Sequence, residues 1–252
     1  MTVPFIMVAP NGARRDRSDH SSLPVTTEQI VETAAACFAA GANALHLHVR
    51  DGDGSHSLDA GHYNETLAEL AGAVPALRIQ ITTEAAGVFD VASQLACLRG
   101  VKPEWASISV REIARDPALA PKVYGVCADQ GTKVQHILYD VDDVALLKAW
   151  QTEGIVQEGQ SSVLFVLGRY SEGQVSDPAD LRPFRDAMPD TNDWMICAFG
   201  PQEHACLLAA AHDGGSLRVG FENSLTDSNG NTYLDNAASV AALRATLERH
   251  PS

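Results

Sequence analysis

The feature that most constrains the fold is a regular alternation of short apolar segments with longer segments of helical character. Eight apolar runs of strand length are each followed by a stretch with the capping residues and length of a helix. The predicted strands cover residues 3–9, 44–50, 77–83, 105–110, 133–139, 162–168, 194–198 and 217–221. Strict alternation predicts parallel strands joined by right-handed crossovers. Eight such units in 252 residues favour a closed (β/α)8 barrel over an open doubly wound sheet.

The segments between these strands predict helices over roughly 26–40, 60–73, 88–99, 117–129, 142–153, 202–211 and 236–249, with another beginning near 177. Thr26 or Thr27 is the expected N-cap of the first of them, with a carboxylate and an amide in the first turn. No Gly-x-Gly-x-x-Gly follows the first strand, which argues further against a dinucleotide-binding sheet. Because no linker or low-complexity tract divides the chain, we expect one domain over residues 1–252.

Composition narrows the classes of function. The net charge of −14 and the pI near 4.9 argue against nucleic acid and anionic membranes as partners. The five cysteines are scattered and contain no Cys-x-x-Cys pair, so we expect reduced thiols and neither a disulfide framework nor a thiolate zinc site. The sequence shows no signal peptide and no apolar run of membrane-spanning length. We therefore expect a soluble cytoplasmic protein.

Two histidines stand out in the second predicted strand. His46 and His48 are two residues apart, so on a strand both side chains project from the same face. Two neighbouring imidazoles can share one metal ion. The alternative is a pair of polar side chains that line the barrel interior and bond to their neighbours, and the pair alone does not decide between the two.

In a (β/α)8 barrel the active site lies at the carboxyl ends of the strands. The polar and turn residues at these predicted ends are Asn11, Arg14, His46, His48, Arg50, Thr82, Thr83, Glu84, Ser107, Ser109, Tyr139, Asp140, Gly168, Arg169, Arg218, Glu222 and Asn223. The first, second and eighth strands are neighbours where the barrel closes, so Glu222 can reach the two histidines. Two histidines and one carboxylate leave open positions on an ion, as in catalytic sites. The alternative for Glu222 is a solvent-facing carboxylate in a loop.

Three further predictions concern charges and hydroxyls at this end of the barrel. Arg218 lies in an apolar strand, where a charge is costly unless it is paired. It either forms an ion pair with Glu84 or Asp51 or binds a substrate carboxylate in a bidentate fork. The hydroxyls of Thr82 and Ser107 either contact substrate or cap the following helices. The arginines in 14–17 form either a solvated loop or an attractor for anions over the barrel mouth.

Taken together, these segments resemble the β-keto acid cleavage enzymes, typified by 3-keto-5-aminohexanoate cleavage enzyme. The resemblance covers nearly the whole chain. The matching motifs are Pro10-x-Gly12-Ala13, Leu23-Pro24-x-Thr26-x-Glu28, Cys37-Phe38-x-Ala40-Gly41-Ala42, His46-Leu47-His48-x-Arg50, Gln80-Ile81-Thr82-Thr83, Phe165-Val166-Leu167-Gly168 and Arg218-Val219-Gly220-Phe221-Glu222-Asn223. Several such motifs in the right order are far more specific than an isolated His-x-His.

The resemblance implies a TIM barrel that holds a divalent metal, usually zinc, on His46, His48 and Glu222. It implies a retro-Claisen/Claisen exchange in which a β-keto acid and acetyl-CoA give acetoacetate and a new acyl-CoA. Arg218 would bind and orient the substrate, while the hydroxyls of Thr82 and Ser107 would bond to substrate oxygens. The resemblance also suggests a homo-oligomer, such as a homotetramer.

The chain departs from the family pattern at several of these positions. Asn223 stands where the family has an aspartate linked to the arginine in acid–base chemistry, and an amide cannot take a proton at neutral pH. Arg14 replaces a glutamate that binds the substrate amine, and the second acidic position falls near Ile137. These departures argue against an aminated substrate, and Arg14 suggests an anionic or neutral keto acid. Two alternatives stay open: a metal-dependent lyase or hydrolase that does not use CoA, and a catalytically silent metal- or ligand-binding barrel.

Overall fold

The computed structural model describes residues 4–250, which form a closed barrel of eight parallel strands. In chain order, the first to eighth barrel strands are Ile6–Val8, Ala44–Leu47, Arg78–Thr82, Trp105–Ser109, Lys133–Leu138, Ser162–Leu167, Trp194–Ala198 and Ser216–Val219. Each strand pairs with the next, and the first also pairs with the eighth, so that Met7 lies opposite both Ala44 and Arg218. The predicted (β/α)8 barrel is confirmed. A single domain over 1–252 stays a prediction.

Helices connect the strands and cover the outside of the barrel. They are Thr27–Ala39, Ala60–Ala73, Val91–Val101, Val110–Ile113, Ala120–Gln130, Val141–Thr152, Arg182–Ala187, Glu203–His212 and Asn236–Arg249, with short 3-10 turns at Glu172–Gln174 and Pro178–Leu181. Thr26 caps the first helix, since its hydroxyl accepts a bond from the Gln29 N–H and the Gln29 side chain accepts one from the Thr26 N–H. Such caps satisfy backbone donors that have no partner inside the helix, and they fix where it begins.

The alternation of side chains along the strands divides the core into two layers. In the fourth strand, Ala106 and Ile108 belong to the large cluster between strands and helices, whereas Trp105 belongs to a smaller cluster with Met7 and Met195. This second cluster fills the barrel interior. At the carboxyl end of the strands, buried polar side chains such as His46 and Thr82 lie in the interior beside its members Ile137 and Val166.

The structure differs from the prediction in some local details. The predicted first strand began at Val3, which lies outside the described residues. The second strand ends at Leu47, and Val49–Arg50 forms a small antiparallel ladder with His56–Ser57. A helix of four residues, Val110–Ile113, directly follows the fourth strand. Periodicity could not show these elements, since two to four residues contain too little repeat. Over residues 4–250, the helices are too short or too polar to cross a bilayer.

Candidate active site

The three predicted metal ligands come together at the carboxyl end of the barrel. His46 lies in the second strand, His48 follows that strand, and Glu222 follows the eighth. The Nε2 atoms of His46 and His48 are 3.2 Å apart, and Glu222 Oε2 lies 3.7 Å and 3.6 Å from them, respectively. One ligand atom from each residue lies within 4.8 Å of the others.

Two glycines bring the Glu222 side chain to this position. Gly220 has φ +135°, and a Cβ there would lie 2.5 Å from the carbonyl oxygen of Ala9 on the neighbouring first strand. Gly12 has φ +63°, and a Cβ there would lie 2.5 Å from Glu222 Cγ. Because only glycine combines these backbone angles with such close approach, both positions are required for the fit of Glu222 against the first strand's loop.

Hydrogen bonds fix the tautomer of His46. The Gln80 side-chain amide donates to Gln135 Oε1 at 3.0 Å, so the Gln80 oxygen faces His46, 2.7 Å from Nδ1. His46 Nδ1 is therefore the donor, and its Nε2 lone pair points toward Glu222. Burial, helped by the nearby Arg218 charge, holds the pKa of His46 well below its usual value. The imidazole is neutral at pH 7 and available as a ligand.

Glu222 is the anionic member of the cluster. Burial opposes ionisation of its carboxyl, but the neighbouring Arg218 guanidinium outweighs that effect and holds the pKa of Glu222 well below its usual value. Its Oε2 is buried and accepts no hydrogen bond from any residue in 4–250. A buried, unpartnered carboxylate oxygen beside two imidazole nitrogens is costly by itself and suits a cation. The donor set thus fits a divalent metal with open coordination positions.

A small cavity opens beside this cluster. Its lining residues are His46, Thr82, Glu84, Ser109, Ile137, Tyr139, Val166, Arg169, Phe199, Arg218 and Glu222. They come from the ends of seven of the eight barrel strands and the residues that directly follow them. The cavity therefore combines the candidate metal ligands with two arginines and several apolar side chains.

Arg218 is buried in the cavity and contacts Glu222. Its Nη2 atom lies 3.4 Å from Glu222 Oε1 and 3.2 Å from Cys197 Sγ. The ion-pair alternative for Arg218 named Glu84 or Asp51 as the partner, but the partner in the structure is Glu222. Arg218 Nε is buried without an acceptor among the described residues. This leaves a donor for a ligand in the cavity.

The two predicted hydroxyls have different surroundings. Thr82 lines the cavity, and its Oγ1 accepts a bond from the Glu84 N–H at 3.0 Å, which leaves its own proton free to donate. Ser107 is buried in the barrel interior, does not line the cavity, and its Oγ has no hydrogen-bond partner within residues 4–250. Ser109, two residues further along the same strand, lines the cavity instead.

Asn223 is buried behind the cavity and does not line it. Its amide donates to Glu203 Oε1 at 3.1 Å and to the carbonyl oxygen of Arg218 at 3.0 Å. Glu203 begins the helix after the seventh strand and also accepts a bond from the Gly220 N–H at 3.1 Å. Burial raises the pKa of Glu203 to about 8. Asn223 and Glu203 thus hold the backbone of Arg218 and Gly220 in place through buried hydrogen bonds.

Arg14 is exposed and does not line the cavity. Its neighbour Arg15 donates to the carbonyl oxygen of Phe221, and Arg50 donates to the carbonyl oxygen of Arg15 at 2.9 Å. These bonds hold the backbone of the loop against the barrel. Arg169 is the second arginine of the cavity, and its position at a strand end was the only sequence signal for it.

A model of the β-keto acid cleavage enzyme family matches residues 4–251. This confirms the resemblance inferred from the motifs. The 3-keto-5-aminohexanoate cleavage enzyme of Fusobacterium nucleatum is 26% identical over 92% of this chain and 84% of its own. The 3,5-dioxohexanoate:acetyl-CoA acetone transferase of Paraburkholderia graminis is 26% identical over 97% of this chain and 89% of its own. The 3-oxoadipate:acetyl-CoA acetyltransferase of Cupriavidus necator is 23% identical over 99% and 90%, respectively.

Solved structures share the fold. The apo structure of ObcA superposes with a TM-score of 0.71 at 18% identity, over 92% of this chain. This chain spans 63% of the length of that ObcA chain. The 3-dehydroquinate dehydratase of Geobacillus kaustophilus superposes with a TM-score of 0.62 at 13% identity, over 100% of this chain and 93% of its own. At these identities the likeness concerns the barrel architecture alone.

Proposed function

We propose that this protein, which belongs to the β-keto acid cleavage enzyme family, is a metal-dependent acyltransferase. It exchanges acyl groups between a β-keto acid and acetyl-CoA and releases acetoacetate and a new acyl-CoA. The observation that carries the proposal is the His46–His48–Glu222 cluster beside a cavity that Arg218 also lines. The names of two relatives specify acetyl-CoA as co-substrate.

His46, His48 and Glu222 would hold the metal, and zinc suits two imidazoles and one carboxylate. When bound, the ion supplies Lewis acidity toward a keto oxygen. Gln80 keeps His46 in the tautomer that ligation requires, because it accepts the Nδ1 proton. Arg218 remains beside the cluster with its Nε donor unused by protein, so it binds and orients the anionic substrate.

The remaining predicted residues take supporting roles in this proposal. Thr82 offers its hydroxyl proton to a substrate oxygen at the cavity surface. Contact between Ser107 and substrate stays a prediction, because Ser107 is buried and Ser109 of the same strand lines the cavity. Asn223 is a positioning residue, because it contacts the backbone of Arg218 and does not line the cavity. Substrate binding by Arg14, a cytoplasmic location and a homotetrameric assembly stay predictions.

The test is turnover with labelled acetyl-CoA. The zinc-loaded protein is incubated with [13C]acetyl-CoA and a panel of β-keto acids, and products are identified by mass spectrometry. We expect labelled acetoacetate and an acyl-CoA that carries the acyl group of the keto acid. Cleavage that proceeds equally without CoA would favour a lyase or hydrolase instead. Metal binding without turnover of any keto acid in the panel would contradict the enzyme proposal.

A further inference from the structure

We infer, resting on the proposed function, that Arg169 binds the distal carboxylate of a dicarboxylic β-keto acid. Arg169 directly follows the sixth barrel strand, and its side chain is 15% exposed at the cavity surface. Its guanidinium carbon lies 4.9 Å from the centroid of the Phe199 ring. Packing of a guanidinium on an aromatic face holds the group in one orientation without using its N–H donors.

The donors of Arg169 are free for a ligand. Its carboxylate neighbour is Glu84, whose Oε1 lies 3.8 Å from Nη2, which is too long for a hydrogen bond. Over residues 4–250, the Arg169 guanidinium donates to no protein acceptor. Arg111, on the helix after the fourth strand, shows the opposite arrangement, because its Nε donates to both Asp143 oxygens at 2.9 Å. A partly buried guanidinium with unused donors is costly unless an anion joins it.

The position of Arg169 relative to the metal cluster suits the far end of a short substrate. Glu84 lies between them, with Oε2 3.9 Å from His48 Nε2 and Oε1 3.8 Å from Arg169 Nη2. Arg218 lies on the cluster itself, so the cavity has one guanidinium beside the metal ligands and a second one away from them. Ile137 and Val166 also line the cavity and suit the methylene carbons of a chain that joins two carboxylates.

Charge balance points to a dianion. Arg169 and Arg218 contribute two positive charges, and Glu84 and Glu222 contribute two negative charges, so these four cavity residues sum to zero. A bound divalent metal leaves the cavity with two positive charges in excess. A β-keto acid with one carboxylate neutralises one of them, whereas a dicarboxylic keto acid neutralises both. In a partly desolvated cavity such complementarity decides between substrates that are otherwise alike.

The first experiment compares 3-oxoadipate with 3-oxohexanoate, which differ only in the distal carboxylate. We expect the wild type to prefer the dicarboxylate, and Arg169→Gln to lower kcat/KM for it about 100-fold while changing the monocarboxylate by less than about threefold. The KM for acetyl-CoA should not change, and Arg169→Lys should recover part of the loss. Arg182→Gln, at an exposed arginine on the outer helix layer, is the matched control and should behave like wild type.

Three results would overturn the inference: equal losses for both keto acids, no preference for the dicarboxylate in the wild type, or a rise confined to the KM for acetyl-CoA. The last would assign Arg169 to the phosphates of CoA. Calorimetric binding of adipate and hexanoate to the zinc-loaded protein separates this inference from the proposed function, because it needs no turnover. We expect adipate to bind and Arg169→Gln to weaken it at least about tenfold. If that binding difference is present without turnover, the acyltransferase proposal fails and the carboxylate site stands.

Discussion

The barrel contains two kinds of buried histidine, and the contrast between them shows what makes such a residue a candidate ligand. His46 and His136 both lie within apolar strands and are both buried. His136 lies on the outer layer, where a ring nitrogen lies 2.9 Å from the carbonyl oxygen of Gln160 and the ring packs 5.4 Å from that of Tyr124. His46 faces a second imidazole, a carboxylate and a cavity.

Burial lowers the pKa of both rings, whereas the groups that surround the two rings differ. Desolvation lowers the pKa of His136 to about 4 and also holds that of His46 well below its usual value, so both are neutral at pH 7. Only His46 has an anionic oxygen nearby that lacks its own partner, Glu222 Oε2. Burial and a lowered pKa are common to both residues. The neighbouring groups therefore distinguish a candidate ligand from a structural histidine.

The largest expected effect is a loss of metal and activity when His46 is replaced but not when His136 is replaced. His46→Ala should strip the metal, since two remaining ligands hold zinc poorly, and should lower kcat/KM at least about 1,000-fold. His136→Gln is the control and should keep both metal and activity. Metal content by mass spectrometry and steady-state kinetics are measured on the same preparations. Stoichiometric zinc in the His46→Ala protein would show that the cluster is not the metal site.

A smaller effect, on the free energy of unfolding, is expected from a change at the buried contact between Asn223 and Glu203. Asn223→Asp restores the acid of the family pattern but places a second carboxylate 3.1 Å from Glu203 in a buried site. Because two buried carboxylates at this distance cannot both ionise, we expect a loss of about 3 kcal/mol in the free energy of unfolding, larger at pH 9 than at pH 6. The double variant with Glu203→Gln should recover most of this loss in urea unfolding. Unchanged stability of the single variant would contradict the buried contact.

The smallest expected effect is a lower free energy of unfolding when His136 is replaced. His136→Gln should cost about 1–2 kcal/mol at pH 7, because the ring packs against Tyr124 and an amide fills the space less well. The unfolded imidazole binds protons near pH 6.5 and the folded one only near pH 4. Wild-type stability therefore falls in this pH range as the pH decreases. Because a pKa difference of this size corresponds to about 3 kcal/mol, the difference between wild type and variant should shrink as the pH falls from 7 and should change sign by pH 4. A constant difference in urea unfolding would contradict a neutral structural role.

Much of this architecture could be predicted because it depends on local patterns. Apolar runs and helix caps predict the order of strands and helices in the barrel. Because the carboxyl ends of all eight strands lie at the same face of such a barrel, the sequence also predicts that His46, His48 and Glu222 lie close together. The side-chain surroundings depend on long-range contacts that no local pattern contains. Glu203 reaches Asn223 from a different helix, and the loop that holds Arg14 takes its course from bonds made by Arg50. Ser107 and Ser109 share one strand face, so only their depth in the barrel decides which one lines the cavity.

The close fit of Gly12 against Glu222 has a consequence for the stage of folding at which the proposed metal could bind. His46 and His48 are synthesised before Glu222, and the carboxylate reaches the imidazoles only when the eighth strand has joined the first. A nascent chain that lacks this final ring closure presents only two nitrogen donors. On the proposed metal role, tight uptake requires a completed barrel, and a time course of metal uptake during refolding would measure how fast the first and eighth strands pair.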